Sequence, residues 1–242
     1  MRVVVTRPRH SGERTISRLT QMGHEAWLLP LAEPVHHVAE ARRALFETHG
    51  AIAVTSAEAI RVLAALERDL APHLARPIFA VGKATAKEAA GLGFADIIAS
   101  EGGGTELAAL ISSRAANNRD APLLYLAGYP RAAGFEAGLT GLQLPFRTVE
   151  CYRMQDIIPD DATLRRLFAD RPADAVLLYS QQTAQRFFGL SFVQENQTLF
   201  DGIRFLCLSE AIAEAIPVAL HPHVAIASTP DEDGLLALLV AE

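Results

Sequence analysis

The segment Ala51-Ile-Ala-Val-Thr55-Ser56-Ala-Glu-Ala-Ile60 has a counterpart later in the chain, Ala175-Val-Leu-Leu-Tyr179-Ser180-Gln-Gln-Thr-Ala184, which aligns with it without a gap. In each copy a wholly apolar run ends in a pair of hydroxyl-bearing residues, and a helix-like stretch follows. Apolar runs without polar alternation are typical of strands covered on both faces, as parallel strands in α/β proteins are. The two copies therefore predict two similar strand–turn–helix units.

The repeat extends over most of the chain: Ile78–Ala86 matches Phe205–Ala213, Ile97–Ser100 matches Ala225–Ser228, and Val3–Pro8 resembles Tyr125–Pro130. The apolar runs lie at Val3–Val5, Ala51–Val54, Ile78–Val81, Leu123–Ala127, Ala175–Tyr179, Phe205–Leu208 and Val224–Ala227. Each half then reads strand–helix–strand followed by three strand–helix units. This order predicts two similar α/β domains of flavodoxin-like type, each a parallel sheet with helices on both faces, with a ligand cleft between them. The repeat is equally compatible with contiguous and with interleaved halves.

Two helices carry local signals. Ile60, Leu63 and Leu70 mark one face of a helix after the first hydroxyl pair. Thr229 and Pro230 suit the N-cap and the first helical position of a later helix, and two acids follow in its first turn.

The bulk composition limits the classes of partner. The chain has 242 residues, half of them hydrophobic, and a net charge of −6, so no basic surface points to nucleic acid or an acidic membrane. The apolar run Val3–Val5 is far too short for a signal peptide or a membrane span. Cys151 and Cys207 form no metal-binding pattern and are interpreted as reduced thiols, which predicts a cytoplasmic location.

Seven turns follow the predicted strands and share small or hydroxyl-bearing residues. They are Thr6-Arg7-Pro8, Thr55-Ser56, Gly82-Lys83, Gly102-Gly103-Gly104-Thr105, Gly128-Tyr129, Ser180-Gln181 and Ser209-Glu210. Such residues at helix starts leave backbone N–H groups free to bind anions, and ligands of parallel sheets meet the carboxyl ends of strands. Each turn by itself is better explained as a helix cap or a turn former than as an anion site. Seven of them around one predicted cleft favour a ligand with several negative charges.

Other chemical motifs are weak. No Walker loop follows Gly102-Gly103-Gly104, and neither a GxGxxG nor a Gly-x-Ser-x-Gly motif occurs in the chain. His36-His37 and His221-Pro222-His223 lack a third ligand at a suitable spacing, so no metal site is predicted. Lys83 is chemically able to form a Schiff base, but its place at a helix start suits an anion better.

The order of several short motifs resembles the uroporphyrinogen-III synthase family. These motifs are the opening Val-Val-Val-Thr6-Arg7-Pro8, the turns Ala-Val-Thr55-Ser56 and Ala-Val-Gly82-Lys-Ala-Thr85-Ala86, then Leu126-Ala127-Gly128 with Arg131, and Val149-Glu150-Cys151-Tyr152-Arg153. The resemblance covers nearly the whole chain. It implies one domain of residues 1–35 and 154–242, another of about 44–148, and two linker strands near 32–43 and 148–153.

The resemblance also implies a substrate, hydroxymethylbilane, whose eight carboxylates agree with anion-binding turns. The expected substrate-binding residues are Arg7, Thr55, Ser56, Gly82, Lys83, Thr85, Gly128, Arg131, Ser180, Gln181 and Ser209. Two turns depart from the family. Glu210 follows Ser209 and repels a carboxylate, and Gln181-Gln182 stands where relatives have Pro-Ser. The matching turns in the first half of the repeat, Thr55-Ser56 and Gly82-Lys83, therefore carry the stronger expectation.

The implied reaction is loss of the terminal hydroxyl as water, attack of the last ring through its substituted carbon, and closure with that ring inverted. Tyr152, in the family's Val-x-x-Tyr position, is the expected proton donor, although a tyrosine in such a strand is as often simply packed. No metal or organic cofactor is expected. We expect a monomer that binds neither nucleic acid nor membrane and receives its substrate from hydroxymethylbilane synthase.

Two other classes fit parts of the pattern. A two-domain α/β protein that binds a small anion without catalysis shares the repeat, but such receptors usually carry a signal peptide. A flavodoxin-like or regulatory domain pair would need a phosphate loop or acidic cluster after the first strand, where Thr6-Arg7-Pro8 stands.

Overall fold

The computed structural model describes residues 1–114 and 121–240, in which strands and helices alternate. The strands are β1 Arg2–Val5, β2 Glu25–Leu28, β3 Ala32–His36, β4 Ile52–Val54, β5 Ile78–Val81, β6 Ile97–Ser100, β7 Leu123–Tyr129, β8 Phe146–Asp156, β9 Ala175–Leu178, β10 Arg204–Cys207 and β11 Val224–Ile226. The α-helices are α1 Arg9–Gln21, α2 Val38–Glu47, α3 Ala57–Ala64, α4 Lys83–Gly91, α5 Gly104–Arg114, α6 Gly134–Gly141, α7 Asp161–Arg165, α8 Gln181–Phe188, α9 Ser191–Glu195, α10 Glu210–Ala213 and α11 Glu232–Ala237. All seven predicted apolar strands are present.

The strands form two sheets. One has the order β11-β10-β9-β1-β2, and each neighbouring pair in it is parallel. The other has the order β3-β8-β7-β4-β5-β6, with parallel pairing from β8 through to β6. The predicted α/β class with parallel sheets is confirmed.

Each sheet joins strands from both halves of the sequence repeat. The first sheet takes β1 and β2 from the first half and β9, β10 and β11 from the second. The second sheet takes β7 and β8 from the second half and β4, β5 and β6 from the first. Counterparts in the repeat therefore occupy the same place in the two sheets. Turns that match in sequence therefore follow equivalent strands of the two sheets.

Both faces of each sheet are buried, because successive strand residues belong to different cores. In β9, Val176 and Leu178 pack in one core, whereas Ala175 and Leu177 pack in another. In the second sheet, Val54 and Leu126 share a core, and Ala53 and Tyr125 lie in the core of the opposite face. Burial on both faces explains why these strands lack polar alternation.

Two local helix predictions are wrong in detail. The N-cap of α11 is Asp231, whose carboxylate accepts from the N–H of Gly234 at 2.8 Å. Thr229 instead donates to Asp231 at 3.1 Å, and Pro230 precedes the helix. A carboxylate is a strong acceptor for the free N–H groups of a first turn, so Asp231 takes the capping place. Leu70 lies in a separate 3-10 helix, Glu67–His73, because α3 ends at Ala64.

The chain divides into two compact units. The first unit consists of Met1–Glu33 and Gln155–Glu242, and the second unit is Pro34–Met154. The boundaries fall within β3 and within β8. Of the two expected linkers, residues 38–43 begin α2, and residues 148–153 lie inside β8, paired with β7.

Two further sequence features can be located. Both cysteines are free and buried, and burial raises the pKa of each thiol to about 12. Within residues 1–114 and 121–240, no helix is long and apolar enough to cross a membrane.

Candidate active site

A cavity of about 280 Å³ opens in the second unit, where β4, β5 and β7 end. Its lining residues are Thr55, Ser56, Val81, Gly104, Gly128, Pro130, Arg131, Ala132, Gly134, Phe135 and Tyr152. Five of the sequence-predicted site residues are brought together here: Thr55, Ser56, Gly128, Arg131 and Tyr152. The carboxyl edge of a parallel sheet is the usual place for a ligand, so the cavity is the candidate active site.

Three helices begin at this cavity. α3 starts directly after Ser56, and Gly104 and Gly134 are the first residues of α5 and α6. A side chain on Gly104 would place its Cβ 2.7 Å from the Cβ of Phe135, so glycine is required for the two helix starts to approach. Free N–H groups and the helix dipoles at such ends attract anions.

Tyr152 reaches the cavity through an irregularity in β8. Ala127 of β7 lies opposite Glu150, but the next residue, Gly128, lies opposite Tyr152, so Cys151 is an extra residue in β8. As a result, Cys151 and Tyr152 pack in the same core although they are neighbours in the strand. Bulges of this kind re-aim a side chain. A Cβ on Gly128 would lie 2.2 Å from Cζ of Tyr152, so only glycine leaves room for the ring.

The phenol of Tyr152 is kept protonated. The residue is 8 % exposed, and burial raises the pKa of its hydroxyl, an effect that the neighbouring Ser56 hydroxyl opposes. A second buried phenol lies nearby: Oη of Tyr125 is 2.9 Å from Oγ1 of Thr55. Burial also raises the pKa of Tyr125. Both phenols are therefore proton donors at neutral pH.

Arg131 is the positively charged group of the cavity. Its Nε donates to Oε2 of Glu136 at 3.1 Å, and its Nη2 donates to Oε1 at 3.3 Å. Oγ1 of Thr148 donates to the same Oε1 at 2.7 Å. These contacts lower the pKa of the Glu136 carboxyl, with the Arg131 hydrogen bond as the main cause, and they raise the pKa of Arg131.

Three predicted residues of the second unit lie outside the cavity lining, beside the end of β5. Gly82 has a φ of 78° and precedes α4, a conformation that favours glycine. Lys83 is 85 % exposed and lies 3.4 Å from Oε1 of Glu101. Thr85 is buried in α4.

Arg7 belongs to the first unit and is held by its own neighbours. Its Nη1 donates to Oε1 of Glu232 at 3.0 Å and to Oγ1 of Thr15 at 3.4 Å. Its guanidinium stacks on Tyr179, with Cζ 4.4 Å from the ring centroid. Arg18 donates to Oε2 of Glu232 at 3.1 Å. The guanidinium of Arg7, which was expected to bind the substrate, is therefore paired with the carboxylate of Glu232.

The other predicted residues of the first unit lie at two helix starts. Ser180 caps α8, since its Oγ accepts from the N–H of Thr183 at 3.1 Å. Gln181 is exposed at the first position of that helix. Ser209 occupies the capping position of α10 without a side-chain hydrogen bond. Their role in substrate binding stays a prediction.

Several lining residues were not among the expected substrate-binding residues, although Gly104 belongs to one of the seven predicted anion-binding turns: Val81, Gly104, Pro130, Ala132, Gly134 and Phe135. Phe135 has the burial and ring contact of a core residue, with its centroid 4.7 Å from that of Tyr125. Glu136 carried no signal either, apart from its place five residues after Arg131. Small residues shape the cavity without any chemical signature in the sequence.

The histidines considered as metal ligands have other neighbours. Nε2 of His36 is 2.6 Å from Oε1 of Glu58, and Nε2 of His221 is 3.0 Å from the carbonyl of Ile216. In the part of the chain that the structure describes, no three His, Cys, Asp or Glu side chains are grouped to hold a metal ion.

Comparisons with known proteins identify the family. No curated protein sequence matches the chain. The structure is similar to uroporphyrinogen-III synthetase from Helicobacter pylori, with 17 % identity, 99 % of each chain covered and a TM-score of 0.63. It is also similar to a mutant uroporphyrinogen III synthase from Thermus thermophilus, with 17 % identity, 99 % of this chain and 97 % of that chain covered, and a TM-score of 0.58. At this identity the two structures show a shared fold. The family model described as uroporphyrinogen-III synthase HemD matches residues 13–237, and the chain therefore belongs to the uroporphyrinogen-III synthase family.

Proposed function

We propose that the protein closes hydroxymethylbilane into uroporphyrinogen III, with inversion of the last ring and loss of water, and is thus a cyclising lyase. Family membership supports this over the alternative of a two-domain protein that binds a small anion without catalysis. The observation that carries the proposal is the cavity, which joins a protonated phenol, a guanidinium and three helix starts in one place.

The cavity suits part of the substrate. At about 280 Å³ it lies just below the volumes of small-molecule sites, roughly 300–1,000 Å³, and a linear tetrapyrrole is larger than most such ligands. One carboxylate-bearing end of the bilane fits the combination of helix N-termini and Arg131. The net charge of −6 gives no overall attraction for a polyanion, so these local groups must supply it.

The chemistry requires an acid where the hydroxyl departs. Tyr152 is protonated, buried and at the cavity wall, and we assign it this role. Protonation of the departing hydroxyl releases water and leaves an electrophilic carbon, which the substituted carbon of the last ring attacks. This attack gives a spiro intermediate, which fragments and recloses through the unsubstituted carbon of the same ring. Loss of the hydrogen at that carbon restores the aromatic ring and returns a proton to Tyr152. Because the bilane also closes without inversion when no enzyme is present, holding its ends in one geometry is the main task of the protein.

The wider setting is part of the proposal. The enzyme acts in the cytoplasm as a monomer, needs no metal or organic cofactor, and takes its substrate from hydroxymethylbilane synthase. Within the second unit, we propose Thr55, Ser56, Gly128 and Arg131 as substrate-binding residues, with Gly82, Lys83 and Thr85 beside them. Arg7, Ser180, Gln181 and Ser209 are the proposed contacts of the first unit.

The test uses purified full-length protein that has been treated with EDTA and supplied with freshly made hydroxymethylbilane. Chromatographic separation of the type I and type III products should show the type III isomer in excess. A product that is only type I would overturn the proposed function. Activity that returns only after a metal or flavin is added would overturn the cofactor-free mechanism.

A further inference from the structure

Glu136 is the carboxylate that binds the guanidinium of the cavity. It lies in the first turn of α6, directly after Phe135 in the cavity wall, and takes two hydrogen bonds from Arg131 at 3.1 and 3.3 Å. Paired contacts from one arginine edge to one carboxylate fix the plane of the guanidinium. The side chains of both residues are 28 % exposed, so solvent screens the pair and its contribution to folding is small.

The carboxylate is itself fixed by the sheet. Thr148 of β8 donates to Oε1 of Glu136 at 2.7 Å, and Thr148 lies opposite Tyr125 of β7. A chain of contacts therefore connects the buried strand β7 with Arg131: β7 pairs with β8 at Thr148, Thr148 binds Glu136, and Glu136 binds Arg131. A side chain held in this way loses rotamer freedom before any ligand arrives, which lowers the entropic cost of binding.

This pairing also determines which donors remain. Glu136 occupies Nε and Nη2 of Arg131, and Nη1 makes no hydrogen bond to the described residues. A carboxylate of a ligand would therefore bind the remaining donors of Arg131. Glu136 partly neutralises the charge of this guanidinium but fixes the direction of those donors. Such a group selects a ligand by geometry more than by overall attraction.

We propose that Glu136, supported by Thr148, is a positioning residue that orients Arg131 toward a carboxylate of the substrate. The inference rests on the proposed function, because it takes Arg131 as a substrate-binding group. Glu136 is not among the residues that line the cavity, so its effect belongs in substrate binding and in the ratio of type III to type I product, with little change in kcat.

The test is a double-mutant cycle on the full chain, with hydroxymethylbilane as the substrate. Arg131→Ala and Glu136→Gln should each raise KM roughly tenfold and change kcat less than about threefold. The double variant should match Arg131→Ala alone within about twofold, because Glu136 acts through that residue. Thr148→Val should raise KM about threefold, and Thr148→Ser, which keeps the hydroxyl, should restore it. Glu47→Gln breaks an exposed pair with Arg147 at 2.8 Å and serves as the matched control with unchanged KM.

Each other outcome overturns the proposal in a recognisable way. Additive effects of the two substitutions would show that Glu136 acts independently of Arg131. An unchanged KM in Arg131→Ala would show that Arg131 does not bind the substrate, so that Glu136 has no binding group to orient. The type III activity, and with it the proposed function, would not be affected by that result. A loss of folded protein is detected by circular dichroism; in that case the Thr148 pair decides, since equal KM values for its Val and Ser variants contradict the inference.

Discussion

The repeat places the turn Thr55-Ser56 of the second unit at the same point of the sheet as Tyr179-Ser180 of the first. Gly128 and Thr6 are counterparts in the same way. In the second unit, glycine admits the ring of Tyr152 from the neighbouring strand, and a cavity remains beside it. In the first unit, Thr6 donates to the carbonyl of Leu177 at 2.6 Å. Equivalent positions of the two sheets thus carry different side chains. The difference predicts that the catalytic groups lie in the second unit and that the corresponding residues of the first unit mainly make stabilising contacts.

The largest effect is expected from Gly128→Ala. The new Cβ would lie 2.2 Å from Cζ of Tyr152 and would displace the ring. Because a misplacement of about 1 Å can cost a hundredfold in rate, kcat should fall roughly a hundredfold. Gly141→Ala is the matched control, since nothing lies within 4 Å of its added Cβ, and it should retain full turnover. Steady-state kinetics with both variants would contradict the comparison if the two behaved alike.

Tyr152→Phe is expected to have the next largest effect. General acid assistance is worth about 10²–10⁴-fold, so kcat should drop at least about tenfold while the folded state is kept. Tyr179→Phe, its matched control in the first unit, should keep more than half of the turnover. Retention of more than half of the turnover by Tyr152→Phe would remove Tyr152 as the essential acid.

The same phenol predicts a pH profile. Burial raises the pKa of Tyr152 above its usual value near 10, so its protonated form persists through the neutral range and beyond. The rate should therefore show no loss from the phenol between about pH 7 and 9. A fall in kcat within this window that is present in the wild type and absent in Tyr152→Phe would contradict the assignment.

Glu232→Gln probes the contacts of the first unit. Glu232 accepts hydrogen bonds from Arg7, Thr15 and Arg18, so its loss of charge should lower the free energy of unfolding by about 1 kcal/mol. Urea denaturation measures this. Asp233→Asn, whose side chain is 84 % exposed, should change it by less than about 0.5 kcal/mol. A KM that falls severalfold in Glu232→Gln would instead show that Glu232 withholds Arg7 from substrate.

The smallest effect is expected from Lys83→Ala. The ammonium is exposed and its pairing with Glu101 is screened by solvent, so folding should be unaffected. As one local cation beside the cavity, it should contribute about a twofold change in KM and none in kcat. Initial rates at low and high salt would show the KM difference shrinking with ionic strength. An unchanged KM at low salt would place Lys83 outside the site.

The apolar runs predicted seven strands because burial on both faces leaves a continuous signal in the sequence. β2 was not located, because Glu25–Leu28 is a half-buried edge strand and contains no such run. The repeat could not distinguish contiguous from interleaved halves, since strand pairing across the chain is decided by packing and leaves no local pattern.

The sequence predicted those lining residues of the candidate site whose side chains carry a charge or a hydroxyl group. Arg131 and the Thr55-Ser56 pair, which carry charge or hydroxyl groups, were predicted as site residues and line the cavity; their role in binding stays a prediction. Gly104 was named only as part of a turn and Gly134 was not named, because a glycine required for close approach of helices resembles any turn glycine until the neighbouring atoms are known. Glu136 was missed for a related reason: its partners lie in two different parts of the fold, Arg131 in the connection between β7 and α6 and Thr148 in β8.

The extra residue in β8 determines which side chain lies opposite Gly128. Up to Glu150, each residue of β8 follows β7 one for one, and beyond Cys151 the two strands run one residue out of step. Replacing Cys151 by another small residue would leave that phase unchanged, whereas regular pairing of the same sequence without the bulge would place Cys151 opposite Gly128 and turn Tyr152 to the other face of the sheet. Anyone who aligns this strand with distant relatives, or grafts it into another sheet, must therefore place the bulge correctly, because a regular register assigns the wrong residue to the position opposite Gly128.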